Sequence, residues 1–239
     1  MTNDPIDEFL SYVTKFEPDF RTRVSGAAEG DISSLQALSG FELPPAYRSY
    51  LQHLGGNDGG LDIGQGATTR AGAVIRYYKE LQAENESAPP GCIVIAVNGV
   101  AVGETSLQFA EAGEPRVVNT SGDEIKDLYA ESLPDLLFRV AFIKYRAKQL
   151  KFSNIYEGSL GGAHLEAGRD VALANGFDQQ WFSDSICFCG ERADAAIMIN
   201  QFVGRVLWIR IASDDRDVVQ SLGRIFESQI DVRFKQTWP

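Results

Sequence analysis

Phe41-Glu42-Leu43-Pro44-Pro45-Ala46-Tyr47-Arg48-Ser49-Tyr50-Leu51-Gln52-His53-Leu54-Gly55-Gly56-Asn57-Asp58-Gly59-Gly60 is the stretch that decides how this 239-residue chain is read. Pro44 and Pro45 fix φ and suit a first helical turn, where a missing N–H costs nothing. Tyr47, Tyr50, Leu51 and Leu54 then fall at i, i+3, i+4 and i+7, one apolar stripe of an α-helix. A short amphipathic helix is expected over Pro45–Leu54. Gly55-Gly56 should stop it, and Asn57-Asp58-Gly59-Gly60 supplies residues that tolerate positive φ and turn the chain.

Upstream, Ile6, Phe9, Leu10, Val13 and Phe16 share one helical face, with Pro18 as the stop. Ile32, Leu35 and Leu38 mark a second, shorter helix closed by Gly40. Downstream, Val74, Tyr77, Tyr78 and Leu81 predict a helix over 71–81, broken by the segment Glu84–Gly91 with its Pro89-Pro90. Cys92–Val97 is an apolar run of strand length before the turn dipeptide Asn98-Gly99. Leu107–Phe109 and Arg116–Asn119 read as further strands, so the segment is a β-meander. Ser132 has the form of an N-cap with Asp135 reaching back, and Leu133, Leu136, Leu137, Val140, Ala147 and Leu150 continue as one long closing helix.

Ser153–Gly162 is rich in Gly and Ser and reads as a linker. Beyond it, Glu166–Asn175 is expected to be helical with Gly176 as its cap, and Ala195–Phe202 and Arg205–Ala212 to form a hairpin turning near Gly204. Ser213-Asp214-Asp215-Arg216 then opens a helix carrying Val218, Leu222, Ile225 and Phe226. The expected class is α+β: a domain over 1–150 with an antiparallel-rich mixed sheet, the β-meander, flanked by N-terminal helices and a closing helix. A C-terminal helix-hairpin-helix α+β module would fill 151–239, independent or packed on the first.

The chain carries 22 Lys+Arg against 33 Asp+Glu, a net charge of −11. Residues 1–150 hold 13 basic and 21 acidic side chains (net −8), and residues 151–239 hold 9 and 12 (net −3). An acidic field repels phosphate backbones, which argues against direct nucleic-acid binding, and a charged partner should be basic. The same acidity also serves plain solubility. The N-terminus is acidic where a secretory segment would be basic, and no apolar run is long enough to span a bilayer, so a cytoplasmic protein with no membrane association is expected.

The catalytic inventory is thin. Neither His53 nor His164 stands in a recognised nucleophile motif, and no Gly-x-Ser-x-Gly, His-Glu-x-x-His or Walker-type sequence is present. Cys187, Cys189 and His164 match no closed zinc spacing, and buried cysteines are common, so no metal or cofactor is expected. The glycines of 55–60 do not read as a phosphate cradle, because Asp58 and Asp62 would face the anion.

Leu43-Pro44-x-x-Tyr47-x-x-x-Leu51, followed by Asn57, Gly59 and Gly60, resembles the signature of the SUKH superfamily, which holds fungal cell-wall-synthesis regulators and many bacterial toxin-immunity proteins. The resemblance covers residues 1–150 and includes the element order of short helices, motif helix, meander and closing helix. The loop departs from the family pattern in one place, since Asp58 separates Asn57 from Gly59-Gly60. The resemblance implies a non-enzymatic immunity protein that neutralises a cognate toxin by direct binding. Alternatives are a regulatory or scaffold protein of the fungal kind, or an enzyme with its site in the C-terminal module. The motif residues would be mainly structural, and Asp58, Asp62, Arg76, Tyr77 and Tyr78 are the candidate contacts to a basic toxin domain. Helical spacing places one of the two tyrosines in the core.

Overall fold

The computed structural model describes residues 4–64, 66–98, 103–110, 113–201 and 205–238. The chain divides into two units, Met1–Val140 and Ala141–Pro239. The division falls at 140/141 rather than at 150/151.

In the first unit, the Asp4 carboxylate accepts from the Ile6 N–H and starts α1 (Pro5–Thr14), which buries Ile6, Phe9, Leu10 and Val13. The helix ends at Thr14, before Phe16 and Pro18. A single turn, α2 (Phe20–Arg23), leads into the two-residue strand β1 (Val24–Ser25). α3 (Glu29–Ser39) closes on Gly40 at φ 75°. α4 (Pro45–Leu54) has the expected bounds and buries Tyr47, Tyr50, Leu51 and Leu54. Asn57–Asp58 then forms β2, which pairs antiparallel with β1, so a loop expected only to turn the chain also carries a strand. α5 runs over Ala71–Glu84, a turn longer than predicted, and ends on Asn85 at φ 59°.

The meander is β3 (Cys92–Ala96), β4 (Glu104–Gln108), β5 (Arg116–Ser121) and β6 (Glu124–Ala130), antiparallel in sequence order. β6 lies between the third expected strand and the closing helix, and its mostly exposed, charged face hides it from a reading based on apolar runs. The Asn98-Gly99 turn lies partly outside the described residues. Ser132 caps α6 (Leu133–Ala141) as expected: the Asp135 N–H donates to its Oγ at 3.2 Å and its hydroxyl donates to Asp135 Oδ2 at 2.7 Å. The single long helix expected through Leu150 is instead three successive registers: α6, a π-type stretch Phe142–Arg146 and a 3₁₀ turn Ala147–Gln149. Apolar spacing cannot separate these, because Phe142, Tyr145 and Ala147 stay buried throughout.

The second unit corrects the linker and the helix-hairpin-helix. Phe152–Gly158 is not a connector but β7, flanked by two partners in a six-stranded antiparallel sheet. Its Ser, Asn and Gly suggested a loop, yet Ile155 and Tyr156 are buried. The remaining elements are α7 (Leu165–Ala174), β8 (Asp178–Gln179), β9 (Cys187–Arg192), β10 (Ala195–Asn200), β11 (Trp208–Ser213), α8 (Arg216–Gln229) and β12 (Val232–Trp238). The sheet order is β12-β7-β11-β10-β9-β8. The hairpin expected from 195 to 212 is the β10–β11 pair, while its turn near Gly204 lies outside the described residues.

Ile197 lies opposite Ile211 and Ile199 opposite Ile209, and these side chains pack with Val171 and Ala172 of α7 and with Val219, Leu222 and Phe226 of α8. Both helices therefore cover one face of the sheet, since alternate strand residues share a face. Asp215, within the stretch expected to open the helix, caps α8 by accepting from the Asp217 N–H at 2.8 Å. The expected α+β class is the observed one. Among the described residues no helix is long and apolar enough to cross a membrane.

Candidate functional site

The motif residues of the first unit are positioned by burial. Leu43, Tyr47, Tyr50, Leu51 and Leu54 are each 2% exposed or less. Tyr47 and Tyr50 lie with ring centroids 6.2 Å apart, and burial pushes both hydroxyls well above the usual tyrosine range. The Tyr50 hydroxyl donates to Thr69 Oγ1 at 2.9 Å, and Thr69 donates to Asp58 Oδ2 at 2.7 Å. Asp58 thus reaches from the Gly-rich loop back to the motif helix. Its other oxygen accepts from the Gly60 N–H at 2.8 Å.

Asn57 is spent in the same way. Its amide donates to the Arg23 carbonyl at 2.8 Å, and its Oδ1 accepts from the Gly59 N–H at 3.2 Å. Gly59 adopts φ 69°, and a Cβ there would lie 2.6 Å from the Phe20 ring, so both backbone and space require glycine. Asp58 is a structural tie between loop and helix.

The candidate contact residues separate accordingly. Asp62 is exposed at φ 60°, with one oxygen accepting from the Gly66 N–H at 2.5 Å. Arg76 is exposed, while Tyr77 is half-buried near the Glu104 carboxylate. Burial, then the Glu104 carboxylate, pushes the Tyr77 hydroxyl up. Tyr78 leaves the set of contacts, because it is 4% exposed and its hydroxyl accepts from the Val94 N–H at 2.9 Å.

The unit boundary changes the charge arithmetic. Residues 1–140 hold 21 acidic and 10 basic side chains, net −11, whereas residues 141–239 hold 12 of each. The whole net charge belongs to the first unit. Lys144, Arg146 and Lys148, assigned by sequence to the acidic part, fall in the second and neutralise it. On α5, Glu80 and Glu84 are exposed four residues apart, followed by exposed Glu86. Like charges at that spacing repel each other in the unbound protein.

Compared with protein-family models, curated proteins and solved structures, the chain matches none of them.

The second unit carries a groove that the sequence reading missed. It lies between α8 and the strands β7 and β12, with a volume of about 500 Å³. Tyr156 and Phe234 meet edge to face in it, with centroids 5.9 Å apart. The signal available in the sequence was Arg216, Gln220 and Arg224 at steps of four on the polar side of an amphipathic helix. On the other face of the sheet, Cys187 and Cys189 lie side by side, both buried, with Sγ atoms 3.9 Å apart. Among the described residues no three His, Cys, Asp or Glu side chains are grouped to hold a metal.

Proposed function

We propose that the protein acts by binding, as a cytosolic immunity protein of the SUKH type whose first unit neutralises a basic toxin domain by direct contact. The observation that carries this reading is the confinement of the entire −11 charge to residues 1–140, beside a second unit with 12 charges of each sign. A uniform solubility requirement would spread acidity over both units. Concentrated on one, it steers a basic partner and speeds encounter.

The order of helices, motif helix, loop, meander and capped closing helix supports the family reading made from the Leu43–Gly60 stretch. Exposed Asp62, Glu80, Glu84 and Arg76, with half-buried Tyr77, supply charged and aromatic contact groups. In such an interface the charges set rate and choice of partner, while buried aromatic anchors hold the complex.

The test is co-expression with the toxin domain encoded by a neighbouring reading frame. Rescue of growth together with co-purification is the expected result. A toxin that is neither bound nor neutralised overturns the reading.

A further inference from the structure

The groove of the second unit has an unusual polar inventory. Arg216, Gln220 and Arg224 line its α8 wall at successive steps of four, which sets the two guanidinium-bearing residues ~12 Å apart along the helix axis. Arg216 lies over the Phe152 ring at 4.9 Å, a cation–π contact that positions its side chain on the groove wall. Among the described residues, neither Arg216 nor Arg224 has a carboxylate partner, and the Gln220 and Thr237 side chains have no protein hydrogen bond. The carboxylate on the same wall, Glu227, accepts from the Phe234 backbone N–H at 2.8 Å. The groove therefore presents two guanidinium groups without a carboxylate partner and one carboxylate already engaged by a backbone N–H, an excess of one positive charge in a unit that holds 12 charges of each sign.

Its floor is aromatic. Phe234, 50% exposed, and Tyr156 both line it, the Tyr156 hydroxyl accepting from the Asn154 amide at 3.3 Å. The volume lies in the range of small-molecule sites and is too small for a folded partner. Arg is the side chain that pairs bidentately with phosphate and carboxylate.

We propose that this groove binds an aromatic anion of mononucleotide size, its ring against Phe234 and its phosphate or carboxylate held by Arg224 or Arg216. This site is independent of the acidic first unit and of toxin binding. It gives the protein a means of responding to a small metabolite.

Calorimetric titration of the full chain tests it, with adenosine 5′-monophosphate and indole-3-acetate as the anions, and with adenosine and indole as their neutral counterparts. At least one anion should bind, about tenfold or more tighter than its counterpart, as expected for one charge-assisted contact. The anion that binds identifies phosphate or carboxylate as the recognised group. Arg224→Gln and Phe234→Ala should each weaken binding about tenfold with unchanged circular dichroism, while Arg233→Gln, outside the groove, should leave it intact. The proposal is overturned if neither anion binds at millimolar concentration, if the neutral compounds bind equally well, or if binding survives both groove variants.

Discussion

Gly223 of α8 lies directly against the Tyr156 hydroxyl: a Cβ on Gly223 would sit 1.7 Å from that oxygen and 2.2 Å from the Cζ that bears it. The missing side chain is what lets α8 seat on β7. In an exposed helix interior, Gly→Ala gains about 1 kcal/mol of helix propensity. Here it should do the opposite. Gly223→Ala should destabilise the second unit by about 1–3 kcal/mol, because Tyr156 is 3% exposed and has nowhere to retreat. Thermal unfolding of the variant checks this; a raised melting temperature would mean that α8 does not pack so closely.

Tyr47 separates ring from hydroxyl. Its ring is fully buried, yet its hydroxyl has no hydrogen-bond partner among the described residues. Tyr47→Phe keeps the packing and removes the unsatisfied group, so it should be neutral or stabilising by about 1 kcal/mol. Tyr47→Ala should cost about 3–5 kcal/mol. Denaturant unfolding distinguishes the two, and a Phe variant as unstable as the Ala variant would assign the hydroxyl a hidden partner.

Thr69 holds the Gly-rich loop to the motif helix through Tyr50 and Asp58. Thr69→Val preserves the shape but strands a buried tyrosine hydroxyl and one carboxylate oxygen. The expected loss is about 2–4 kcal/mol, at about 1–3 kcal/mol per stranded group. An unchanged denaturation midpoint would show that the Asp58 tie contributes nothing to the loop.

Alkaline pH should unfold the first unit. Burial raises the pKa of Tyr47, Tyr50 and Tyr77, and pushes Tyr78 up to about 12. Each of these groups stays protonated in the folded state at a pH where the unfolded chain ionises near 10. Their contribution is therefore fully present below about pH 10 and is lost as pH rises toward the folded values. Tyr78 alone accounts for about 3 kcal/mol by pH 12, at about 1.4 kcal/mol per unit. Tyrosinate absorbance followed with circular dichroism should show these groups ionising in one steep step with loss of structure. Ionisation of all eight tyrosines near pH 10 with the fold retained would contradict the burial.

The same physics explains what could be read in the sequence. α4 was legible to the residue because proline at its start, a clean apolar stripe and a glycine stop act locally and agree with one another. Ser132 and Asp135 were legible for the same reason. β7 was not, because its burial comes from strands far away in sequence, β11 and β12, while its Ser, Asn and Gly carry local loop preference. β12, Val-Arg-Phe-Lys-Gln-Thr-Trp, is an edge strand in which Val232, Phe234 and Trp238 are separated by polar residues, so it leaves no apolar run. The groove was hidden because its residues come from 152–156, 216–227 and 234–237, joined only by the sheet order. The charge partition was half legible: the excess of acid was countable, but the boundary that makes it −11 against zero is a property of the fold.

Recruitment of a basic toxin domain by the acidic first unit is tested by the association rate of this chain with the toxin domain of the neighbouring reading frame, measured across salt. A complex should form whose association slows at least about tenfold between ~50 mM and ~500 mM salt as screening shortens the field. Glu80→Lys with Glu84→Lys should slow association at low salt while the melting temperature holds. No complex, or a rate indifferent both to salt and to the double charge reversal, would contradict this recruitment.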